Sequence, residues 1–260
     1  MKPLLTRAEA RAFDAQASEV GGVCSLLLME NAGRGAAEAM ARRFPDRLER
    51  VVCVGGPGQN GGDAWVLARH LRCAGHRPEV WLVGDEAKLR GDAKPNWESL
   101  RAIGVPRYVL TDARLPELER DLARASLVVD GLFGTGLDRP LAGRFREVVN
   151  ALGRARAPKV ALDLPSGVDA DTGAVLGAAC QASLTLSFGA AKPGLFQHPG
   201  AALAGEVEVL SLGVPAPVDC ALQLLERSDL GRLLPVRAPD AHKGRAGHLL
   251  VVAGSPGKSG

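Results

Sequence analysis

The sequence predicts an α/β domain built on a mostly parallel β-sheet with helices on both faces. Short apolar segments rich in β-branched residues, such as 50–54 and 127–130, alternate with longer helix-like segments. Apart from Arg50 and Asp130 at their ends, these two segments are apolar, as expected of strands that are covered on both sides. Glycines or acidic residues follow several of them, at 55–62, 130–131 and 163–167. Since parallel strands end at a common edge, these observations predict a three-layer, Rossmann-like domain with a ligand site there.

The boundaries of the elements follow from capping residues, glycines and prolines. Thr6 is placed to cap the first helix, and Glu9 can complete a capping box. The expected helices are 6–17, 25–43, 63–74, 94–103, 115–123 and 144–152. The expected strands are 50–54, 79–83, 107–110, 127–130, 160–162, 182–188 and 206–210. This alternation of strand and helix favours a parallel sheet.

A change in composition near residue 213 predicts a domain boundary. We expect a first domain over 1–215, a linker over 216–227 and the truncated start of a second domain over 228–260. A short helix at 228–234, and a strand-like segment running into a glycine-rich turn over 242–257, would open the second domain. So few residues cannot enclose a core of their own, so we interpret this part as a fragment of a larger domain.

The composition excludes several classes of protein. Charged residues make up 23% of the 260 residues and the net charge is +3, which gives no electrostatic argument for a nucleic-acid partner. The apolar run at 23–29 is far shorter than a membrane span, and the first residues do not resemble a signal peptide. The five cysteines are scattered and predict neither a disulfide framework nor a zinc site. We therefore expect a cytoplasmic protein without a membrane partner.

The segment 56–61 matches the pattern GxGxxG between a strand and a helix. Such a loop brings the backbone close to a phosphate, and the helix start offers free N–H groups. The pattern alone also fits a tight turn without a ligand, and Asp63 is either a helix cap or a ligand-binding group. Asp85 and Glu86 stand roughly where a dehydrogenase holds ribose, which leaves an NAD-dependent oxidoreductase as an alternative.

Two further strand ends carry polar side chains. Asp130 ends an apolar strand, so its carboxylate must be hydrogen-bonded, paired, metal-bound or neutral. It either caps the turn at Gly131 or serves acid–base catalysis or cation binding. The amides of the loop after it, together with Arg139, could hold phosphate or ribose oxygens. Asp163 ends another strand, and Ser166 does not lie in the GxSxG motif of a hydrolase nucleophile.

Five segments, taken in order, resemble one family: 28–33, 56–63, 129–137, 163–169 and 191–195. Together they are similar to the NAD(P)H-hydrate epimerases, the N-terminal half of bifunctional NAD(P)H-hydrate repair proteins. The tail from about residue 225 resembles the opening of the second half, a ribokinase-like NAD(P)H-hydrate dehydratase that uses ADP or ATP. The resemblance implies epimerisation of the R and S forms of hydrated NADH and NADPH, and a full-length protein that also dehydrates the S form.

The resemblance also implies a set of site residues. A potassium ion would be bound by Asn60, Asp130 and Ser166. The substrate would contact Gln59, Asn60, Gly61, Gly62, Asp63, Gly134, Thr135, Gly136, Leu137, Asp138, Arg139, Pro140 and Asp163. The family tends to form homo-oligomers, and the dehydratase half would take ADP or ATP, with Mg²⁺ as a candidate companion ion.

The sequence departs from the family pattern at Gln59, where the family usually has Asn, and at Ala64, where it has Gly. Neither is a proposed cation ligand, so we expect activity to survive. As a mechanism, we hypothesise that Asp130 carries the proton that accompanies loss and re-addition of the substrate hydroxyl. A non-catalytic dinucleotide-binding or scaffold domain, as found among related proteins, is a further alternative, and the intact Asn60, Asp130 and Ser166 argue against it.

Overall fold

The computed structural model describes residues 1–215, 220–233, 240, 244 and 248–254. The described chain forms two compact units, one of Lys2–Leu224 and one of Met1 with the described residues from 225 onward. Part of the predicted linker (216–219), the last residue of the predicted helix 228–234 and half of the predicted strand and turn at 242–257 lie outside the described residues. The described residues 248–254 of that segment form no strand. The predicted domain boundaries therefore stay predictions.

Seven parallel strands form the central sheet of the larger unit. The described chain has the strands β1 (Lys2–Leu4), β2 (Val51–Gly55), β3 (Pro78–Leu82), β4 (Arg107–Val109), β5 (Leu127–Gly131), β6 (Lys159–Leu162), β7 (Leu184–Phe188), β8 (Glu206–Leu210) and β9 (Leu222–Leu224). The central sheet consists of β2 to β8. The sheet order is β4-β3-β2-β5-β6-β7-β8, with all neighbours parallel. The chain reverses its direction of travel across the sheet between β2 and β5, and such a switch point is where α/β sheets bind ligands. The predicted α/β class is confirmed.

Helices cover both faces of this sheet. The helices of the larger unit are α1 (Arg7–Glu19), α2 (Ser25–Arg43), α3 (Gln59–Cys73), α4 (Ala93–Ala102), α5 (Leu115–Arg124), α6 (Gly143–Arg154) and α7 (Gly200–Ala204). The smaller unit contains α8 (Arg227–Leu233). On one face Trp65 of α3 packs with Cys53 in a cluster that includes α2 and α4. On the other, Leu118 of α5 packs with Val52 and Val54. Alternate residues of β2 thus serve two cores, which explains its uninterrupted apolar sequence.

Most boundaries agree with the predicted ones to within one or two residues, but α3 begins at Gln59 rather than at residue 63. Gly58 is its N-cap residue and supplies no side-chain cap. A methyl group on Gly61 would lie 1.9 Å from the carbonyl oxygen of Gly56, so the chain can enter the helix this tightly only with glycine there. Asp63 therefore lies in the second turn of α3, and the alternative that it caps the helix is wrong.

The start of the chain is held by two features. The predicted capping box is confirmed, since the Thr6 hydroxyl accepts from the amide of Glu9 and the Glu9 carboxylate accepts from the amide of Thr6 at 2.8 Å. A second, two-stranded sheet of β1 and β9 was not predicted.

Among the described residues, no helix has the length and apolar character needed to cross a bilayer.

Candidate functional site

A cavity of about 780 Å³ lies at the carboxyl ends of the parallel strands, beside the switch point. Its walls come from α1, α2 and the start of α3, and from the segments that follow β5, β6 and β7. Apolar side chains such as Phe13, Leu28 and Phe188 make up part of the lining. The polar side chains that line it include Asp14, Gln59, Asn60, Asp63, Thr135, Asp163 and Lys192. A largely apolar cavity with a few convergent polar groups is typical of a small-molecule site.

Asn60 is fixed by the strand next to the switch point. Its side-chain amide donates a hydrogen bond to the carbonyl of Leu162 at 3.1 Å, which leaves its oxygen free to accept or to bind a cation. A methyl group on Gly134 would lie 3.3 Å from that oxygen and 2.7 Å from Oδ2 of Asp163. Glycine at this position therefore lets the loop after β5 approach both polar groups.

Asp130 lies behind the cavity wall, and neither it nor Ser166 is among the lining residues. Asp130 is 1% exposed. Its carboxylate accepts from the Ser166 hydroxyl at 2.6 Å and from the Ser166 amide at 2.9 Å. Burial raises the pKa of Asp130, and these hydrogen bonds oppose the rise. Burial, with the nearby Asp130 carboxylate, also raises the pKa of the Cys180 thiol.

Asp163 has an unusual backbone and a buried cation beside it. Its φ of 66° is the only positive value of a non-glycine residue in the described part of the chain. Its carboxylate forms an ion pair with Lys192 and accepts from the amide of Thr135 at 3.2 Å. Lys192 is 2% exposed and also donates to the carbonyl of Phe188 at 3.0 Å. Such a strained residue, over-determined by its neighbours, is characteristic of functional sites.

Lys192 is the main site residue that sequence reasoning missed. Lys192 lies within the segment 191–195, which carries part of the family resemblance. The sequence does not predict its ion pair with Asp163. Lysine is rarely buried unless paired. The pairing with Asp163 joins segments 29 residues apart and has no local signal.

Asp63 enters the cavity without a partner. It is 9% exposed and lines the cavity, and no hydrogen bond or ion pair to its side chain is found within the described ranges. Burial raises the pKa of Asp63 well above its usual value of 3.8, with repulsion from Asp163, Asp14 and Asp92 adding to the rise and Lys192 opposing it. A carboxyl in a cleft whose pKa is raised in this way is a candidate for catalysis.

Some of the predicted substrate-binding residues line the cavity, and others do not. Those that line it are Gln59, Asn60, Asp63, Gly134, Thr135, Gly136 and Asp163. Three are buried behind the wall, Gly61, Gly62 and Leu137, and the last of these packs in the core on the α5–α6 side. Asp138, Arg139 and Pro140 are exposed and are not among the lining residues. Ala64 is fully buried, so its methyl group does not enter the cavity.

Comparison with known proteins gives one consistent family. Residues 25–194 match the family described as YjeF-related protein N-terminus. The chain is 41% identical to the bifunctional NAD(P)H-hydrate repair enzyme of Thermofilum pendens, over 95% of this chain and 47% of the relative. It is 38% identical to the NAD(P)H-hydrate epimerase of Rhodopirellula baltica, over 83% of this chain and 88% of the relative. The chain thus spans about half the length of the bifunctional relatives it matches.

A solved structure supports the fold. The crystal structure of the yeast protein ynu0 superposes with a TM-score of 0.69, covering 82% of this chain and 94% of the yeast chain. The sequence identity is 24%, so the likeness concerns the fold alone.

Proposed function

The chain belongs to the family of YjeF-related N-terminal domains, and from that premise we propose that it is an NAD(P)H-hydrate epimerase. It would interconvert the R and S forms of hydrated NADH and NADPH. The observation that carries the proposal is the cavity at the switch point, where Asn60, Asp63, Gly134 and Asp163 converge beneath an apolar wall. A reduced nicotinamide ring with a hydroxyl beside its nitrogen needs this combination of an apolar wall and proton-carrying groups.

The reaction requires the hydroxyl to leave one face of the ring and water to return to the other. The ring nitrogen's lone pair drives the departure and leaves a cationic ring, which nearby carboxylates would stabilise. The free amides at the start of α3, next to Gly58, would bind phosphate oxygens of the dinucleotide. The side chain of Thr135 and the loop around Gly134 would contact the nicotinamide half.

The oxygen atoms around Asp130 fit a potassium ion. Asn60 Oδ1 is left free by its amide contact, and the Ser166 hydroxyl lies 2.6 Å from Asp130 and 3.4 Å from the carbonyl of Phe133. Hard cations prefer such a set of carboxylate, amide, hydroxyl and carbonyl oxygens. Asn60, Asp130 and Ser166 would hold the ion, which would supply a fixed positive charge behind the cavity. The role of Asp130 as the proton carrier stays a prediction from sequence, and the position of its carboxylate behind the cavity wall does not favour it.

The rival functions lack support from this site. Asp85, which an oxidoreductase would need at the ribose, accepts from the amide of Ala87 in a turn of its own and does not line the cavity. Glu86 accepts from the indole N–H of Trp97 at 2.8 Å. A pure scaffold would have no use for a buried carboxyl such as Asp63, which has no hydrogen-bond or ion-pair partner in the part of the chain that the structure describes.

Further properties are proposed for the whole protein. A longer protein with a dehydratase domain would use ADP or ATP, with Mg²⁺ as a candidate ion, to dehydrate the S form. The bifunctional relatives, of which the chain spans about half, support this extension. The homo-oligomer and the cytoplasmic location remain predictions from sequence.

The direct test is epimerisation itself. The chain is mixed with the R form of NADH hydrate, with and without potassium chloride, and the S form is followed by chromatography against the spontaneous rate. We expect acceleration that is greater with potassium than with an equal concentration of tetramethylammonium. A folded sample that leaves the spontaneous rate unchanged would disprove the proposal.

A further inference from the structure

Two carboxyl groups that line the cavity, those of Asp63 and Asp163, differ in their hydrogen-bond and ion-pair partners. Asp163 is held by Lys192 and by the amide of Thr135. Asp63, 9% exposed, has no such partner among the described residues, and yet it lines the same cavity. A buried carboxyl without a partner costs stability, so its presence in a binding cavity calls for a chemical use.

We propose that Asp63 is the general acid of the epimerisation and that Asp163 is the matching base. This inference rests on the proposed function and deepens it, since it names the groups that move the protons. Asp130, behind the wall with both oxygens engaged by Ser166, is left to cation binding and does not touch the reacting atoms.

The step balances in atoms and electrons. Asp63 gives its proton to the substrate hydroxyl as the carbon–oxygen bond breaks, so that water leaves with the bonding pair and the ring nitrogen's lone pair forms a double bond to the carbon. Water then attacks that carbon from the other face, the electron pair returns to nitrogen, and the water's proton passes to the Asp163 carboxylate. The reverse reaction uses the same groups with their roles exchanged, and solvent restores the starting protonation between turnovers.

The environments of the two carboxyls favour this division of roles. Burial raises the pKa of Asp63 well above its usual value, and the nearby carboxylates of Asp163, Asp14 and Asp92 add to the rise, while Lys192 opposes it. Asp163, by contrast, has the buried ammonium group of Lys192 as its ion-pair partner. Two carboxyls with such different surroundings, one in an ion pair and one without a bonded partner among the described residues, are a usual arrangement of an acid and a base.

The test compares three matched substitutions in the whole chain: Asp63→Asn, Asp130→Asn and Asp85→Asn. Turnover is measured with the R form of NADH hydrate over a range of potassium concentrations up to saturation. Affinity is measured by fluorescence titration with NADH, which lacks the hydroxyl. We expect Asp63→Asn to lose about 10²–10⁴-fold in kcat, the usual scale of general acid catalysis, and to keep its affinity for NADH. Asp130→Asn should need more potassium for half-maximal rate, and Asp85→Asn should match the wild type.

Rescue gives a second, independent outcome. Asp63→Ala should recover part of its lost activity when formate or acetate is added, because a small acid can occupy the vacated space. Retention of more than about a tenth of kcat by Asp63→Asn would overturn the inference. So would a loss of NADH affinity as large as the loss of kcat/KM, because Asp63 would then be a binding residue. A wild type without epimerase activity would instead refute the proposed function, on which the inference depends.

Discussion

At the scale of single residues, the ion pair between Lys192 and Asp163 holds one wall of the cavity. Both side chains are almost fully buried, so each is the main counter-charge of the other. Replacing Lys192 by Met should lower the free energy of unfolding by about 3–5 kcal/mol, because the substitution leaves a buried carboxylate without its cation. Urea denaturation at neutral pH measures the loss.

The double variant provides the control for that prediction. Lys192→Met combined with Asp163→Asn removes both charges, so it should be more stable than Lys192→Met alone. If the double variant were the less stable of the two, the side chains would be contributing through packing rather than through charge.

Asp63 leads to a prediction about pH. Burial raises the pKa of Asp63 in the folded protein above its usual value of 3.8, so ionisation favours the unfolded chain. The cost is absent below that value and grows as the pH rises toward the folded-state pKa. Asp63→Asn should therefore be more stable than the wild type at neutral pH, and the difference should vanish in acid. Guanidinium unfolding at a series of pH values measures it, and an Asn variant that is less stable at neutral pH would contradict the assignment.

At the scale of elements, close packing of α2 on α3 brings the helix start to the cavity. A methyl group on Gly33 would lie 2.4 Å from Cβ of Val66, so the two helices touch where Gly33 has no side chain. Gly62 meets Met29 in the same way, with a methyl group only 2.5 Å from its Cε. The first turn of α3 is thereby pressed against α2.

Gly33→Ala and Gly35→Ala form a matched pair on one helix. Gly33→Ala should destabilise the protein by about 1–3 kcal/mol, since overpacking outweighs the better helix propensity. Gly35→Ala has its nearest contact at 3.7 Å, to Leu210, so it should gain up to about 1 kcal/mol from propensity. Thermal and urea unfolding measure the change in stability of both variants. Equal changes would show that the close approach of α2 and α3 at Gly33 does not affect the free energy of unfolding.

Local patterns explain which elements were predictable from the sequence. The helix at 25–43 and the strand at 206–210 were predicted with the bounds they have, because an apolar repeat and clear boundary residues mark them. β1 and β9 have only three residues each and pair with one another although most of the chain separates them in sequence. The residues near either strand therefore do not predict it. In the site, Asp163 and Asn60 were predicted from motifs. That Asp63 lacks a side-chain partner among the described residues depends on packing, which the motif does not reveal.

At the scale of the whole molecule, the sheet places the ends of β2, β5 and β6 side by side, and this adjacency gathers the motifs at one edge. The larger compact unit extends to Leu224, beyond the end of the first domain predicted at residue 215. β9 pairs with β1, and the amide of Ala221 donates to Glu9 at 3.0 Å.

Two truncations test where the first domain ends. A chain of residues 1–224 should unfold in one cooperative transition with a Tm close to that of the same unit in the full chain. A chain of residues 1–215 should melt at a lower temperature, because it loses the partner strand of β1. Equal melting temperatures would show that β9 contributes nothing to stability and would favour the boundary at residue 215. Differential scanning calorimetry makes the comparison.

The pairing of β1 with β9 has a consequence for how this unit is used. Lys2 pairs with Leu224, so the first and last residues of the larger compact unit lie next to each other. A unit whose termini are adjacent can be inserted into a larger polypeptide, or removed from it, with little change in the structure of the rest of that polypeptide. The same architecture can thus serve as a free-standing protein or as a module fused to a second enzyme, and gene fusion needs no redesign of the sheet.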